Sequence, residues 1–110
     1  MPARRASTGA AGGGGVLSPL LHGRVRLLVV AHLVRHGPTP FTELRAALGL
    51  TDGTLSVHLA KLEEGGIVAL ERRFAGKRPQ TVVRLTRSGR ARYRAYLAEL
   101  RRLLPGLAEE

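Results

Sequence analysis

The stretch LTDGTLSVHLAKLEEGG, residues 50–66, combines the start and stop signals of a helix with an outward face of unusually small side chains. Thr51 or Asp52 can cap its N-terminus, and two glycines end it. Three leucines recur at spacings of four and three residues, which places them on one buried face of the predicted helix. The opposite face carries small polar residues and a glycine, where a stable surface helix would carry Ala, Glu or Lys. We therefore predict that this outward face approaches a binding partner closely.

Two further helices are predicted before this stretch. The Ser18–Pro19 pair indicates a helix start, and the helix is expected over residues 20–35, ended by Gly37–Pro38. The Thr39–Pro40 pair predicts a short extended segment. Thr42 is the predicted cap of the two-turn helix FTELRAALG that follows this segment.

The apolar pattern changes after the two glycines. The runs IVALERRF and TVVRL are short and rich in β-forming residues, and they flank the loop AGKRPQ. This arrangement predicts a hairpin with a basic tip. Thr86 is the predicted cap of a last helix over residues 87–104, and Pro105–Gly106 marks its end.

These elements predict one domain, mostly helical and of the α+β class, over residues 17–104. Residues 1–16 hold five glycines and almost no large apolar side chain, so burial cannot offset the entropy cost of ordering them. We expect them to form a disordered basic tail, and residues 105–110 to form a C-terminal tail. The length of 110 residues is typical of a single domain.

The composition predicts a modest core. Apolar residues make up 44% of the chain but aromatic residues only 4%. The core is therefore expected to consist of Leu, Val and Ala. The expected large members of this core are Phe41, Phe74, Tyr93 and Tyr96.

The charge of the chain indicates a polyanionic partner, nucleic acid before others. Its formal net charge is +10, from 18 Lys and Arg against 8 Asp and Glu. Sixteen of the 18 basic residues are arginine, which GC-rich coding DNA also favours, so their position is more informative than their number. Residues 71–102 contain eleven basic residues against two acidic ones, a net charge of +9. The predicted hairpin and last helix thus carry nearly the whole excess.

Several classes of function lack support in the sequence. The absence of cysteine excludes disulfides, thiolate metal sites and cysteine nucleophiles, and favours a reducing cytoplasm. The longest apolar run is interrupted by His32 and is too short to span a bilayer, so no membrane partner is expected. We find no nucleophile elbow or phosphate-binding loop and predict no enzyme activity. His32 and His36, with His22, lack an acidic or thiolate third ligand nearby, so no metal or other cofactor is predicted.

The order helix, short helix, tight turn, helix, basic hairpin and helix resembles small winged helix-turn-helix transcriptional regulators, related to the MarR and ArsR groups. FTELRAALGLTDGTLSVHLAKLEEGGIV, FAGKRPQT and LTRSGRARYRAYL carry the resemblance. It implies a homodimeric, sequence-specific regulator that binds double-stranded DNA, with a recognition helix at about 52–64 in the major groove and a wing at 72–80 on the backbone or minor groove. ArsR metal sensors typically use cysteines, and MarR proteins have extra terminal helices around a ligand pocket. The effector is therefore left unknown.

A helical wheel assigns the candidate DNA contacts of the recognition helix. Small outward side chains would let the helix sink deeply enough to reach base edges. The candidates are Thr51, Gly53, Thr54, Ser56, Val57, His58 and Lys61. His58 lies close to the leucine stripe, so packing at the domain edge is an equal alternative. Glu63 and Glu64 are expected to lie outside the DNA groove.

The remaining candidate contacts lie outside this helix. Thr42 is expected to bond a phosphate, to cap its own helix, or to do both. Arg73, Lys77 and Arg78 on the wing are expected to meet phosphates or the minor groove, with a solvated hairpin tip as the alternative.

The last helix carries an apolar stripe that indicates a partner helix, because the stripe is too long for so small a core to cover. Its members are Tyr93, Tyr96, Leu97, Leu100, Leu103 and Leu104. Homodimerisation is the predicted use, and a helix folded back on its own domain is the alternative. For the chain as a whole, the alternative function is a winged-helix interaction module that binds an acidic protein.

Overall fold

The computed structural model describes residues 18–107, which form four helices and a three-stranded antiparallel sheet. The helices are α1 (Arg24–His36), α2 (Phe41–Leu48), α3 (Asp52–Glu64) and α4 (Arg87–Leu103). The strands are β1 (Thr39–Pro40), β2 (Val68–Ala75) and β3 (Arg78–Leu85), in the sheet order β1-β3-β2. This order confirms the predicted winged-helix fold. The tail predicted for residues 1–16, and residues 108–110, lie outside the described part of the chain.

A single apolar cluster joins all four helices to the sheet. The leucine stripe of α3 is buried as predicted, and it packs with residues of α1, α2 and both long strands. The fully buried members are Leu21, Val29, Val30, Leu33, Leu44, Leu55, Leu62, Ile67 and Val83. No helix in residues 18–107 combines the length and apolar character needed to cross a bilayer.

The start of α1 differs from the prediction. Ser18 does not cap a continuous helix; its carbonyl accepts the backbone N–H of His22 at 2.8 Å and closes a separate turn. The chain is then extended at Gly23, and α1 begins one residue later. The separate turn lets Leu21 reach the core, where it is fully buried. Burial of this leucine outweighs the local Ser-Pro signal, and the predicted end of the helix at Gly37 is confirmed.

The cap predicted for α2 is also wrong. Pro40 occupies the N-cap position without a side-chain hydrogen bond, and Thr42 lies one residue inside the first turn. The short strand β1 explains the shift, because Thr39 and Pro40 pair with Val83 and Val82 of β3 and carry the chain directly into the helix. Gly49 ends α2 in the left-handed conformation, as predicted, with φ of 66°.

The hairpin is longer and tighter than the sequence indicated. The loop predicted over AGKRPQ contains only two unpaired residues, Gly76 and Lys77, because Ala75 pairs with Arg78 and the ladder continues to Val68 and Leu85. Pro79 is tolerated within a strand because β1 pairs with β3 only at positions 82 and 83, so β3 has β2 as its single neighbour at the tip. The wing is thus a stiff ribbon with a narrow end.

Thr86 fixes the start of α4 and joins it to the beginning of the hairpin. Its hydroxyl accepts the Gly89 N–H at 2.8 Å and lies within hydrogen-bond distance of the carbonyls of Gly66 and Ile67, at 2.6 and 3.0 Å. The predicted cap is therefore confirmed, and it also carries a long-range contact.

Substitution Thr86→Ala is expected to lower the free energy of unfolding by about 1–2 kcal/mol, because it removes a helix cap together with a hydroxyl donor to the backbone. Urea unfolding followed by circular dichroism measures the change. Thr86→Ser keeps the hydroxyl and should recover most of the stability; equal loss in both variants would show that the methyl group, and not the cap, matters.

Candidate nucleic-acid interface

The N-terminus of α3 is organised by two threonines. The Thr51 hydroxyl oxygen accepts the backbone N–H of Thr54 at 3.1 Å, and it lies 3.0 Å from the Thr54 hydroxyl. The Thr54 side chain is exposed, and its contact with the Thr51 hydroxyl favours one orientation. A hydroxyl positioned in this way can offer a hydrogen bond to a base edge at little further entropy cost.

The acidic residue at the same end of α3 is neutralised by a neighbour in α2. Arg45 Nε lies 2.9 Å from Asp52 Oδ1, so the Asp52 carboxylate forms an ion pair with Arg45 and does not cap α3. Sequence reasoning missed this pair because the tight turn between the two helices decides which side chains meet. The pairing reduces the repulsion between Asp52 and an approaching phosphate.

The rest of the predicted outward face of α3 is exposed. Gly53, Ser56 and Lys61 are exposed, and Val57 keeps 61% of its surface accessible. A Cβ added to Gly53 would meet no atom within 4 Å, so a partner can approach the backbone there. His58 differs, because it is half-buried and its Nδ1 is buried without a hydrogen-bond partner among the described residues. Its inner edge therefore packs against the domain.

A cleft of about 640 Å³ separates α3 from the wing. Its floor is apolar, from Leu59 of α3 and Leu70 of β2. Its rims are polar and come from α2, α3 and β3; they include Thr42, Ser56, Arg78, Gln80 and Thr81. Glu63 also lines the cleft. Hydroxyl, amide and guanidinium groups of this kind suit a phosphate backbone, although Glu63 makes one part of the cleft less favourable.

An ion-pair network in the wing includes Arg73, one of the predicted DNA contacts. Glu71 binds Arg84 Nε at 2.7 Å through one carboxylate oxygen and Arg73 Nη2 at 2.5 Å through the other. Arg73 is therefore held against the strand, and the Glu71 carboxylate offsets part of its positive charge. Lys77 and Arg78, at the tip, are exposed, and no carboxylate of residues 18–107 lies within 4.0 Å of either.

The Glu71 network predicts a measurable titration. The hydrogen bonds from Arg84 and Arg73 hold the pKa of the Glu71 carboxyl below its ordinary value. Because the folded-state pKa is lowered, the stabilisation is present above the ordinary pKa and is lost as the pH falls through the lowered value. A ¹³C NMR titration should show the lowered pKa in the parent protein and a return toward the ordinary value in Arg84→Ala. An unchanged titration would contradict the network.

The apolar stripe of α4 divides into two parts. Tyr96 is only 4% exposed, and its hydroxyl lies 2.8 Å from His22 Nδ1, so it belongs to the core of its own chain and has no surface for a partner. Tyr93, Leu97 and Leu100 are half-buried. The exposed part is the end of the helix and the turn after it, where Leu103, Leu104 and Leu107 are 45%, 48% and 43% exposed.

The histidines do not form a metal centre with three protein ligands in the described part of the chain. His32 and His36 lie close on α1, with ring centroids 4.4 Å apart, but His22 is directed to Tyr96. Partial burial, together with the positive charges of His36 and Arg35, lowers the pKa of His32.

Two features of the surface were missed or misjudged from the sequence. Phe74 was expected in the core, but it is 74% exposed because β2 extends past the helices that cover its first residues. Arg26 and Arg92 line a shallow cleft with Lys61, which extends the basic surface beyond the end of α3. Both features depend on which elements lie side by side in space, and no short-range pattern encodes that.

Comparisons with known proteins agree with this geometry. Residues 25–104 match the family model described as "Winged helix DNA-binding domain". The uncharacterized protein MJ0432 of Methanocaldococcus jannaschii is 35% identical over 79 residues, which are 72% of this chain and 86% of that protein. The transcriptional regulator homologue protein from Pyrococcus horikoshii OT3 is 32% identical, with a TM-score of 0.76 over 83% of this chain and 90% of that chain.

Another protein of similar structure, AbfR, has been solved in complex with DNA. Overoxidized AbfR bound to DNA is 29% identical, with a TM-score of 0.67, and AbfR comes from Staphylococcus epidermidis. The match covers 76% of this chain but only 60% of the AbfR chain. AbfR has also been solved with a disulfide formed, a chemistry that this cysteine-free sequence cannot share.

Proposed function

This chain belongs to the family of winged helix DNA-binding domains, and we propose that it is a sequence-specific transcriptional regulator that binds double-stranded DNA as a homodimer. In the proposed complex, α3 lies in the major groove and the wing follows the backbone or enters the minor groove.

The exposed face of α3 is the observation that carries the proposal. Gly53, Thr54, Ser56 and Val57 are exposed, small and located beside a cleft with polar rims. A helix with short side chains can approach base edges, where hydroxyls bond several bases and a valine methyl packs on thymine. The basic wing supplies attraction that does not depend on sequence. An acidic protein partner would be attracted by the basic charge of the wing, but the small side chains of α3 would add no specific contact with it.

A direct test measures binding of the full chain to duplexes selected from a random DNA pool. The selected duplex should bind at least roughly a thousandfold more tightly than random DNA at physiological salt, and the affinity should fall steeply as salt rises. Salt-dependent binding without any preference among duplexes would leave only a non-specific DNA binder and would refute the regulator proposal.

The proposed dimer uses the exposed end of α4. Leu103, Leu104 and Leu107 present an apolar surface that no other part of residues 18–107 covers. A two-fold pairing of this surface would present two copies of α3 to successive major-groove faces, roughly 34–36 Å apart, and would favour a near-palindromic operator.

Substitution Leu103→Glu with Leu104→Glu is expected to convert the proposed dimer into a monomer, because it would bury four carboxylates in a two-fold interface. Light scattering coupled to size-exclusion chromatography gives the mass. Tyr96→Phe is the matched control: it removes a buried hydroxyl from the same helix but leaves the exposed end intact, so the dimer mass should persist. A monomeric parent protein at micromolar concentration would contradict the dimer.

A further inference from the structure

The aromatic ring near the wing tip lies outside the core because β2 extends beyond the helices that cover its first residues. Phe74 is separated from Val68 and Leu70 by an even number of residues, so all three side chains lie on the sheet face that covers the core. It stands four residues beyond Leu70, which is about 13 Å along the strand, and it is 74% exposed. Its cross-strand neighbour Pro79 lines the cleft between α3 and the wing. Strand alternation therefore directs the ring to the same side of the wing as the cleft, but Phe74 does not itself line the cleft.

Basic residues flank Phe74 on both sides in the sequence. Arg72 and Arg73 precede it in β2, and Lys77 and Arg78 follow it at the turn. The nearest acid in the sequence is Glu71, which is already paired with two arginines. A lone exposed aromatic residue among cations is too small an apolar area for a protein interface, but it matches a partner that combines phosphates with stacked bases.

The dimensions of the tip agree with entry into a minor groove. A two-stranded ribbon fits the major groove, whereas the minor groove is only about 6 Å wide and admits little more than side chains. The turn of the wing contains only two residues, Gly76 and Lys77, so its end is narrow. A side chain close to this end can therefore enter the groove while the cations beside it bind the phosphates of both strands.

We infer that Phe74 is an apolar wedge: when the wing meets DNA, its ring enters the minor groove and partly unstacks one base step beside the major-groove contact of α3. The inference rests on the proposed function. Flexible pyrimidine–purine steps such as TA and CA cost least to unstack, so the wedge also gives a sequence preference at a position that α3 does not touch.

The test uses the full chain and operator duplexes that carry 2-aminopurine at successive flanking steps, because this base becomes more fluorescent when it is unstacked. Binding of the parent protein should raise the fluorescence at one step. Phe74→Ala should abolish the rise and weaken binding by roughly tenfold, whereas Phe74→Leu should retain most of both effects, since leucine also serves as a wedge. Phe74→Lys should lose the rise while its added charge preserves much of the affinity.

The controls separate this inference from the proposed function. If the parent protein prefers its operator but raises the fluorescence at no step, or if Phe74→Ala leaves the rise unchanged, the wedge is refuted and the regulator proposal stands. If Phe74→Ala instead changes the mass in light scattering and leaves the fluorescence rise intact, the ring belongs to an interface between copies, which also refutes the wedge. Thermal melts of each variant check that the exposed substitution leaves the fold intact.

Discussion

Replacing Gly89 with alanine is expected to lower the melting temperature by roughly 12–24 °C, since overpacking against the backbone costs about 3 kcal/mol and each kcal/mol shifts a domain of this size by about 4–8 °C. A Cβ at this position would clash with the carbonyl oxygen of Ile67, and that oxygen cannot move without its peptide group. The same carbonyl accepts the Thr86 N–H at 2.9 Å, so relief of the clash would separate α4 from the hairpin. Differential scanning calorimetry measures the shift.

Gly53→Ala is the matched control for this substitution. Gly53 is also in the first turn of a helix, but an added Cβ meets no atom within 4 Å. Alanine favours the helix by about 0.5–1 kcal/mol over glycine, so the melting temperature should stay the same or rise slightly. Equal melting temperatures for the two variants would show that the contact between Gly89 and Ile67 is not a close one in solution.

Removal of the helix contacts and removal of the wing charges are expected to affect DNA binding in different ways. Thr54→Ala with Val57→Ala should reduce discrimination between the operator and a mismatched duplex by roughly 10–100-fold, because a single hydroxyl bond and a methyl contact are together worth about as much as one good bidentate base contact, about 1–3 kcal/mol. Lys77→Ala with Arg78→Ala should weaken binding to all duplexes alike and reduce the slope of log affinity against log salt by about 1.8. Fluorescence anisotropy at several salt concentrations measures both quantities.

A charge-matched variant controls for the lost net charge. Arg35→Ala with Arg101→Ala removes two exposed cations that do not line the cleft between α3 and the wing. The salt slope should then stay close to that of the parent protein. If this variant lowers the slope as much as the wing variant does, the attraction comes from the net charge of the domain and the wing has no special role.

The local signals of the sequence were sufficient for most of the elements. Thr86 was identified as a cap, and Thr51 as one of two candidates beside Asp52, because such caps act within three residues; the structure contains the hydrogen bonds of both threonines. The leucines of α3 were assigned to the core because helical periodicity fixes which side chains share a face. The change to a β-rich pattern after Gly66 located the wing.

The tertiary structure decided which of these surfaces are covered. A stripe on α4 looks the same in the sequence whether it faces its own core or a second chain, and only the folded structure, in which Tyr96 is buried in the apolar cluster and bonded to His22, assigns it to the core. Phe74 satisfies the alternation of a buried strand position, yet β2 extends beyond the helices that would bury it. The pairing of Asp52 with Arg45 likewise required the turn that brings α2 to α3. Periodicity acts over a few residues, whereas burial and ion pairing depend on elements that are distant in sequence, so the sequence determined the faces and the fold determined what each face meets.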